Sequence, residues 1–327
     1  MHRRRVWRRA AALASVVLVA LGAACSGDDS GGSSAGSTGR DGAVADGAPS
    51  SAPTSASVPP RAPAAVFDAV CSGRAVVSVT GALPDDLDEV SGVAASRQHA
   101  DRYWAIEDSG NRAALYGFGR TGADVQTVVV DGVLNVDWED VAVGPGPDGR
   151  ELVWIADTGD NLGFRPAVSL LRFAEPSPGD TSVRPEVLRV TFEDGPRDAE
   201  ALVVATSGVW LFEKTDTGPS GVYLLDADES VFRRVAEIDV RPALITGADV
   251  SADGGTLAIR TNRGLQLHPV RDGGIAAAVS EPPCHAPAPP EVQGESVAFS
   301  FAGDALVTVG ERGRRGASID IHVIAAE

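Results

Sequence analysis

The sequence is poor in several residue types that often report function. It contains three cysteines, five histidines and, among 28 basic residues, a single lysine, Lys214. Acidic residues number 45, so the formal net charge is −17. Nucleic-acid binding relies on clustered positive charge, which this composition does not provide. We therefore expect no nucleic-acid partner.

The few histidines and cysteines also restrict the chemistry. The histidines share no spacing typical of a zinc or copper site, and no Ser-His-Asp order stands out. Helical periodicity of any length is absent, and short β-branched or aromatic runs recur instead. The sequence therefore predicts an all-β fold without a sequence signature of a nucleophilic triad.

The first 24 residues combine a basic start with an apolar run, Ala10 to Ala24, and end in small residues. This pattern is typical of an export signal. A transmembrane anchor is the alternative, but the run is shorter than the roughly 20 residues needed to span a bilayer. We expect the mature protein to be exported.

The stretch LGAACSG resembles the bacterial lipoprotein signal, in which cleavage precedes a cysteine that is then acylated. That resemblance makes Cys25 the lipidated residue and places the protein on the outer face of the cell membrane. Two acyl chains supply the double anchor that stable attachment requires. The predicted contact with the membrane is through this lipid anchor only.

Residues 25–65 are rich in Gly, Ser, Ala and Pro and cannot bury enough apolar surface to fold. We interpret them as a disordered tether, and such a chain has a mean span of roughly 35 Å. Residues 66–327 then form one domain, which we expect to be monomeric. With Cys25 acylated, Cys71 and Cys284 remain as a pair in an oxidising compartment, so we predict a disulfide between them.

Similar segments recur along this domain. They align on Ser91, Glu139, Glu200, Ala248 and Glu295, with spacings of 48, 61, 48 and 47 residues. A strand-rich repeat with a period near 50 is typical of a β-propeller, whose blades are four-stranded sheets around an axis. We favour five blades, with six as the alternative.

The last repeat offers only three strands, 295–300, 305–311 and 319–326, before the chain ends. The segment RAVVSVTG (74–81) stands before the first repeat without partners of its own. It can supply the fourth strand of the last blade and close the ring, which removes exposed strand edges. This N-terminal closure would also bring Cys71 towards Cys284.

In a propeller, the innermost strand of each blade begins on the rim where the second strand ends. Acidic segments such as DWEDVAVG (137–144) and DAEALVVAT (198–206) should therefore meet on one central face. Oxygen ligands without His or Cys suit Ca²⁺ or Mg²⁺, of which we favour Ca²⁺. The carboxylates that we predict as metal ligands are Asp137, Glu139, Asp157, Glu200 and Glu295.

Basic residues also occur at the ends of the second strands. We predict that anion or substrate binding involves Lys214, Arg260 and Arg312, because ammonium and guanidinium groups bind phosphate and carboxylate. Two simpler interpretations stay open. The acids can accept hydrogen bonds from neighbouring blades and merely fasten them, and the basic groups can pair with the acids.

A rim that holds a cation beside an anionic group could hydrolyse phosphate or other esters. The alternative is a non-enzymatic scaffold that binds a small molecule or a protein, because a fold does not imply a function.

The segments SGVA, DWEDVAVG, IADTGDN, DAEALVV, ITGADVS and QGESVAF resemble a group of secreted bacterial β-propeller lipoproteins and, more loosely, phytase-like and esterase-like propellers. The resemblance covers most of residues 85–311. It implies a propeller fold and, from the phytase-like group, calcium held by acidic ligands on the central rim. The chain differs from phytase-like propellers in having five predicted blades instead of six and no lysine-rich phosphate pocket.

Overall fold

A computed structural model describes residues 65–227, 229–312 and 318–327. The predicted signal (1–24), Cys25 and the tether up to residue 64 lie outside these residues, so those assignments stay predictions. Within the described ranges, no helix combines the length and apolar character needed to cross a bilayer.

The described residues form mainly β-strands. Two short helices, α1 (Ala65–Cys71) and α2 (Gly274–Ala278), accompany them. The first strands of the chain are β1 Ala75–Ala82, β2 Val90–Ala95, β3 Arg102–Glu107, β4 Ala114–Gly119 and β5 Gln126–Val130. The next are β6 Trp138–Pro145, β7 Glu151–Asp157, β8 Val168–Ala174, β9 Ser182–Val183 and β10 Glu186–Phe192.

The second half of the chain continues in the same way. Four consecutive strands are β11 Ala199–Ala205, β12 Gly208–Glu213, β13 Ser220–Leu225 and β14 Val231–Ile238. They are followed by β15 Ile245–Val250, β16 Thr256–Thr261, β17 Gly264–Pro269 and β18 Cys284–Ala286. The last are β19 Ala298–Phe299, β20 Ala305–Thr308 and β21 Asp320–Ala326. The strands predicted at 74–81 and 319–326 are confirmed as β1 and β21. Strands β19 and β20 are shorter than the predicted 295–300 and 305–311.

The strands form antiparallel groups in which chain neighbours pair. The orders are β2-β3-β4-β5, β6-β7-β8-β10, β11-β12-β13-β14 and β15-β16-β17-β18, and the last group is β19-β20-β21-β1. Two short parallel pairings cross between groups: β9 extends the edge at β5, and β10 joins β14 so that two groups share an eight-stranded sheet. Both involve the strands that follow β8 in the chain.

The first strand of each group contacts the first strand of the next. Strand β2 contacts β6, β6 contacts β11, β11 contacts β15, β15 contacts β19, and β19 contacts β2 again. A ring of antiparallel sheets, each with its first strand innermost, is the architecture of a β-propeller. The all-β propeller prediction is confirmed.

The burial of each strand depends on its position in the sheet. Every residue of β2, β11 except its last, and β15 is buried, because innermost strands are covered on both faces. The outer strand β14 alternates exposed and buried residues, since one of its faces meets solvent. Glycines allow the inner strands to approach one another: a Cβ at Gly92 would lie 2.7 Å from Val141 N and 2.8 Å from Asp140 Cα.

Hydrophobic clusters fill the spaces between neighbouring sheets. Trp104 and Trp138, both fully buried, belong to the cluster between the β2–β5 and β6–β10 groups. Phe192, Tyr223 and Phe232 pack together between the β6–β10 and β11–β14 groups. The ring centroid of Phe192 lies 5.0 Å from that of Tyr223 and 5.4 Å from that of Phe232. Burial of such side chains contributes about 1.5–3 kcal/mol each.

The two ends of the folded domain close the ring. Strand β1 pairs antiparallel with β21 from Ala75↔Ala326 to Ala82↔Asp320, as predicted for residues 74–81. A disulfide joins Cys71 to Cys284, with the two Cα atoms 5.1 Å apart. It connects α1, beside the closing strand, to β18 in the preceding group. The predicted closure and disulfide are both confirmed.

Candidate functional site

The propeller topology brings acidic residues from three strand groups to one rim. Asp108 follows β3, Asp137 precedes β6, and Asp198 precedes β11, while Glu139 and Glu200 are the second residues of β6 and β11. Lys214 directly follows β12. We call these six residues the acidic mouth. Its existence confirms that strand beginnings and second-strand ends meet, as the repeat predicted.

Two groups of carboxylates in the mouth lie close enough to share a cation. In the first, Asp108, Asp137 and Glu139 each offer an oxygen within 4.8 Å of the others. Asp108 and Asp137 are half-buried and Glu139 is buried. The backbone N–H of Ser109 donates to Asp108, which fixes that carboxylate at the end of β3. Asp108 and Asp137 therefore form the side of this group that is open to solvent.

The second group contains Glu139, Asp198 and Glu200, with oxygens again within 4.8 Å. It already holds a positive charge, because Lys214 Nζ lies 2.5 Å from Glu200 Oε1. A side-chain hydrogen bond also joins Glu139 and Glu200. The lysine backbone N–H donates to the Asp198 carbonyl at 2.8 Å, which holds Lys214 against the mouth.

Burial and mutual repulsion disturb the titration of these groups. Burial first, and then the Asp108 carboxylate, raise the pKa of Asp137 to about 6. Burial raises the pKa of Glu200 to about 7 despite the lysine. The pKa of Glu139 is raised well above its usual range by burial and by Glu200. A cluster whose charged form is disfavoured in this way is stabilised by a bound cation.

A glycine forms part of the wall of the first group. A Cβ at Gly159 would lie 1.9 Å from Glu139 Oε1 and 2.5 Å from Asp137 Oδ2. The Gly159 N–H donates to the Asp137 carbonyl at 3.2 Å, so the two loops touch at this point. Only glycine leaves this space to the carboxylates.

Two of the predicted metal ligands lie beside the mouth and not in either group. Asp157 Oδ1 accepts hydrogen bonds from Arg165 at 2.6 Å and from the Asp137 N–H at 3.3 Å. Glu295 is buried and accepts a hydrogen bond from Gln293. Burial, followed by the Glu311 carboxylate, raises the pKa of Glu295 to about 8. Asp137, Glu139 and Glu200 are thus brought together, whereas Asp157 and Glu295 are not.

The predicted anion-binding residues all have carboxylate partners. Lys214 pairs with Glu200, and the buried Arg260 pairs with Glu291. Arg312 contacts Asp88 at 2.6 Å and donates to the Leu87 carbonyl at 2.8 Å. Their assignment to an anion site stays a prediction, and in the structure each contributes to ion pairing.

Other carboxylates on the same strands fasten the sheets to one another. Asp140 accepts hydrogen bonds from the N–H groups of Val141, Leu202 and Ala248, at 2.8, 2.9 and 3.3 Å. Asp249 likewise accepts from Val250 and Phe299. Hydroxyl groups of Ser91, Thr158 and Thr246 donate to carbonyls of the next sheet. The fastener interpretation therefore applies to Asp140 and Asp249.

Two residues of the mouth, Asp108 and Asp198, were missing from the predicted ligands. A signal was present for Asp198, because the spacing Asp-x-Glu occurs both at Asp137–Glu139 and at Asp198–Glu200. Asp108 belongs to the segment after β3, where its side-chain position depends on the turn.

Two clefts lie at the opposite ends of the strands. One, of about 570 Å³, is lined by Arg102 and Trp104, and the other, of about 680 Å³, by Trp154 and Arg172. In each, the guanidinium covers the indole ring, at 4.9 and 5.2 Å from the ring centroid. Neither cleft includes a residue of the acidic mouth.

No protein-family model and no curated protein sequence matches the chain. Solved structures with a similar course of the chain include a gluconolactonase from Xanthomonas campestris, with 12% identity, covering 79% of this chain and 92% of that one at a TM-score of 0.48. The soluble aldose sugar dehydrogenase from Escherichia coli has 10% identity, with coverages of 77% and 100% and a TM-score of 0.44. A glucose dehydrogenase has 12% identity, the same coverages and a TM-score of 0.47. At this level of similarity, no activity is transferred to the chain.

Proposed function

We propose that the chain is a five-bladed β-propeller whose acidic mouth binds a divalent cation, Ca²⁺ by preference. The blade count is supported by five innermost strands in one ring and by β1, which completes the group of β19, β20 and β21. We further propose that the domain is exported and held at the outer face of the cell membrane through Cys25. The sequence pattern before Cys25 supports this location.

The observation that carries the cation proposal is the group of Asp108, Asp137 and Glu139, whose oxygens lie within 4.8 Å of one another. Carboxylate oxygen without nitrogen or sulfur is the ligand type that Ca²⁺ and Mg²⁺ prefer. The space left by Gly159 keeps a large side chain out of this group. Ca²⁺ is favoured over Mg²⁺ because Asp108 and Asp137 come from loops and Glu139 from a strand, and Ca²⁺ tolerates such irregular geometry.

A second role follows from the hydrogen-bonded pair of Glu139 and Glu200. Because the pKa of Glu200 is about 7, this pair can hold and release a proton near neutral pH. A bound cation would supply Lewis acidity towards an ester oxygen. In this role, Lys214 orients Glu200, and the mouth hydrolyses a phosphate or other ester. The alternative is a binding scaffold that uses the same cation without turnover.

The cation proposal is tested by calorimetric titration of the purified domain with Ca²⁺, Mg²⁺ and Zn²⁺. We expect one Ca²⁺ per chain and weaker binding of the other two. Asp137→Asn should weaken Ca²⁺ binding, whereas the control Glu229→Gln, at the other end of the strands, should not. Absence of Ca²⁺ binding by the unaltered domain would refute the proposal.

Turnover distinguishes the enzyme from the scaffold. Hydrolysis of p-nitrophenyl phosphate and p-nitrophenyl acetate is measured with Ca²⁺ and with chelator. Calcium-dependent release of p-nitrophenol that Glu200→Gln abolishes supports the hydrolase. Calcium binding without release of p-nitrophenol from either compound favours the scaffold.

A further inference from the structure

Four large apolar side chains project into solvent beside the acidic mouth. Leu134 and Val136 are 78% and 55% exposed, and Leu162 and Phe164 are both 73% exposed. The first two lie in the loop before β6, residues 131–137, and the other two in the loop after β7, residues 158–167. We call these two loops the lips. Exposed apolar groups gathered at one place usually mark a binding surface.

Hydrogen bonds fix the backbone of both lips. In the first lip, Asn135 Nδ2 donates to the carbonyls of Glu107 and Asp108 at 2.8 Å each, and Asn135 Oδ1 accepts from the Trp138 N–H at 3.1 Å. This hydrogen-bonded turn therefore holds Leu134 and Val136, the apolar residues on either side of Asn135, towards solvent.

The second lip is fixed by a buried carboxylate and an arginine. Asp160 accepts the N–H groups of Phe164 and Arg165, both at 2.8 Å. Arg165 in turn donates to the Gly159 carbonyl at 2.7 Å. Leu162 and Phe164 are thus exposed on an ordered loop. Ligand binding would therefore not have to lose conformational entropy by ordering this loop.

The lips adjoin the carboxylates of the mouth. Val136 directly precedes Asp137, and the Gly159 N–H of the second lip donates to the Asp137 carbonyl at 3.2 Å. Both loops therefore carry their exposed apolar residues within five residues of this contact. Polar and apolar contacts are available to one ligand at this place.

The charge and coordination of the mouth restrict the polar end of that ligand. Ca²⁺ takes about six to eight oxygen ligands, more than three carboxylates supply, so a ligand oxygen can complete its shell. Even with one proton shared by Glu139 and Glu200, the other four negative charges of the mouth exceed the three positive charges of one divalent cation and Lys214. An anionic group is repelled by the excess, whereas an uncharged carbonyl oxygen is not.

We infer that, of the two ester classes proposed above, the mouth takes uncharged esters with an apolar chain and not phosphate esters, the carbonyl oxygen facing the cation and the chain lying on Leu134, Leu162 and Phe164. This inference rests on the proposed cation site, and it names the class of ligand. It assigns Leu162 and Phe164 to ligand selectivity, with no part in holding the cation.

The test compares methyl hexanoate with methyl acetate in the presence of Ca²⁺, each titrated into the labelled domain and followed by its backbone amide NMR signals. The two esters share the carbonyl group and differ by four methylene groups. We expect the Kd of methyl hexanoate to be at least roughly fivefold lower, because each buried methylene adds to affinity. The largest shifts should occur in residues 158–167.

The variant Leu162→Ser with Phe164→Ser should bring the two Kd values together while its calorimetric Ca²⁺ affinity is unchanged. The matched control is Val187→Ser with Val235→Ser, two exposed valines on outer strands, and it should keep the preference. Equal Kd values in the unaltered domain, no binding of either ester, or a preference that survives in the lip variant would each overturn the inference. Failure of Ca²⁺ to bind is measured separately and would overturn the proposed function instead.

Discussion

Glu139 and Asp140 are neighbours on the innermost strand β6, yet they have opposite surroundings. Asp140 is fully buried and accepts three backbone N–H groups, from its own sheet and from two others. Glu139 points to the other side of the strand and faces Asp137, Asp108 and Glu200. Glu139 is the extra residue of a β-bulge between Trp138 and Asp140, and a bulge re-aims a side chain, so one strand serves both the ring and the mouth. We call Asp140 compensated because backbone N–H groups donate to its carboxylate, although burial still raises its pKa well above its usual range. We call Glu139 uncompensated because it faces three other carboxylates.

The largest effect on stability should come from removing the compensated carboxylate, Asp140. Asp140→Ala leaves the N–H groups of Val141, Leu202 and Ala248 without their acceptor in the core. An unsatisfied buried donor costs about 1–3 kcal/mol, so we expect the free energy of unfolding to fall by at least about 3 kcal/mol. Urea unfolding measures the change, with Glu229→Gln as control. A loss below about 1 kcal/mol would mean that Asp140 does not fasten the sheets.

Carboxyl groups with raised pKa values, Glu200 in the mouth and Glu295 beside it, should make the calcium-free protein sensitive to pH. The pKa of Glu295 is about 8 in the folded protein and roughly 4.3 in an unfolded chain. Between these values the folded state retains a proton that the unfolded state releases, so stability falls as the pH rises. Glu200, with a pKa of about 7, acts in the same direction.

Urea unfolding in chelator between pH 5 and pH 8 measures this dependence. We expect a decline across the range and a flatter profile for Glu295→Gln, which carries no titrating proton. A free energy of unfolding that increases from pH 5 to pH 8 would contradict the assigned direction of the shifts.

A smaller effect is expected from filling the space beside the mouth. The added methyl group of Gly159→Ala would collide with Glu139 Oε1 and Asp137 Oδ2. We expect Ca²⁺ affinity to fall roughly tenfold, since rigid placement of ligands determines affinity at such sites. Calorimetry measures the affinity. Gly218→Ala is the matched control, because Gly218 is a loop glycine without a positive φ and with nothing within 4 Å of its Cβ position. Equal affinities of the two variants would show that the space at Gly159 is unimportant.

The smallest effect concerns a single hydroxyl fastener. Ser91→Ala removes the hydrogen bond that Ser91 Oγ donates to the Glu139 carbonyl at 2.6 Å. The expected loss is about 1 kcal/mol, the usual net value of one hydrogen bond. Thermal unfolding compares it with Ser78→Ala, whose bond to the Val323 carbonyl is long at 3.4 Å. If Ser78→Ala lowers the unfolding temperature more than Ser91→Ala does, the hydrogen bonds between inner strands do not stabilise the fold more than those between outer strands.

Much of the fold followed from the sequence because propeller strands are local, alternate in polarity and repeat. The same repeat predicted that acids of β6 and β11 would meet, since antiparallel order fixes which strand ends share a rim. Even the closing strand was predictable, because the last repeat lacked one strand. The pair of Cys71 and Cys284 was predicted because these two cysteines remain when Cys25 is acylated, and the closure brought them towards each other.

The details of the site depended on loops that no repeat describes. Asp140 and Glu139 are both acidic, and only the register against neighbouring strands shows which of them meets backbone N–H groups. The pairing of Asp157 with Arg165 depends on the turn between them. Arg260 finds Glu291 in a proline-rich segment 31 residues away, which spacing alone does not reveal.

The central claim is that Glu139 is the uncompensated member of the neighbouring pair and gains its partner from a cation. It is tested most directly by the free energy of unfolding of Glu139→Gln, measured at pH 8 with chelator and with saturating Ca²⁺. The account predicts opposite signs: the variant is more stable than the unaltered protein without Ca²⁺, because a crowded charge is removed, and less stable with Ca²⁺, because a ligand is lost. The same sign under both conditions would contradict it.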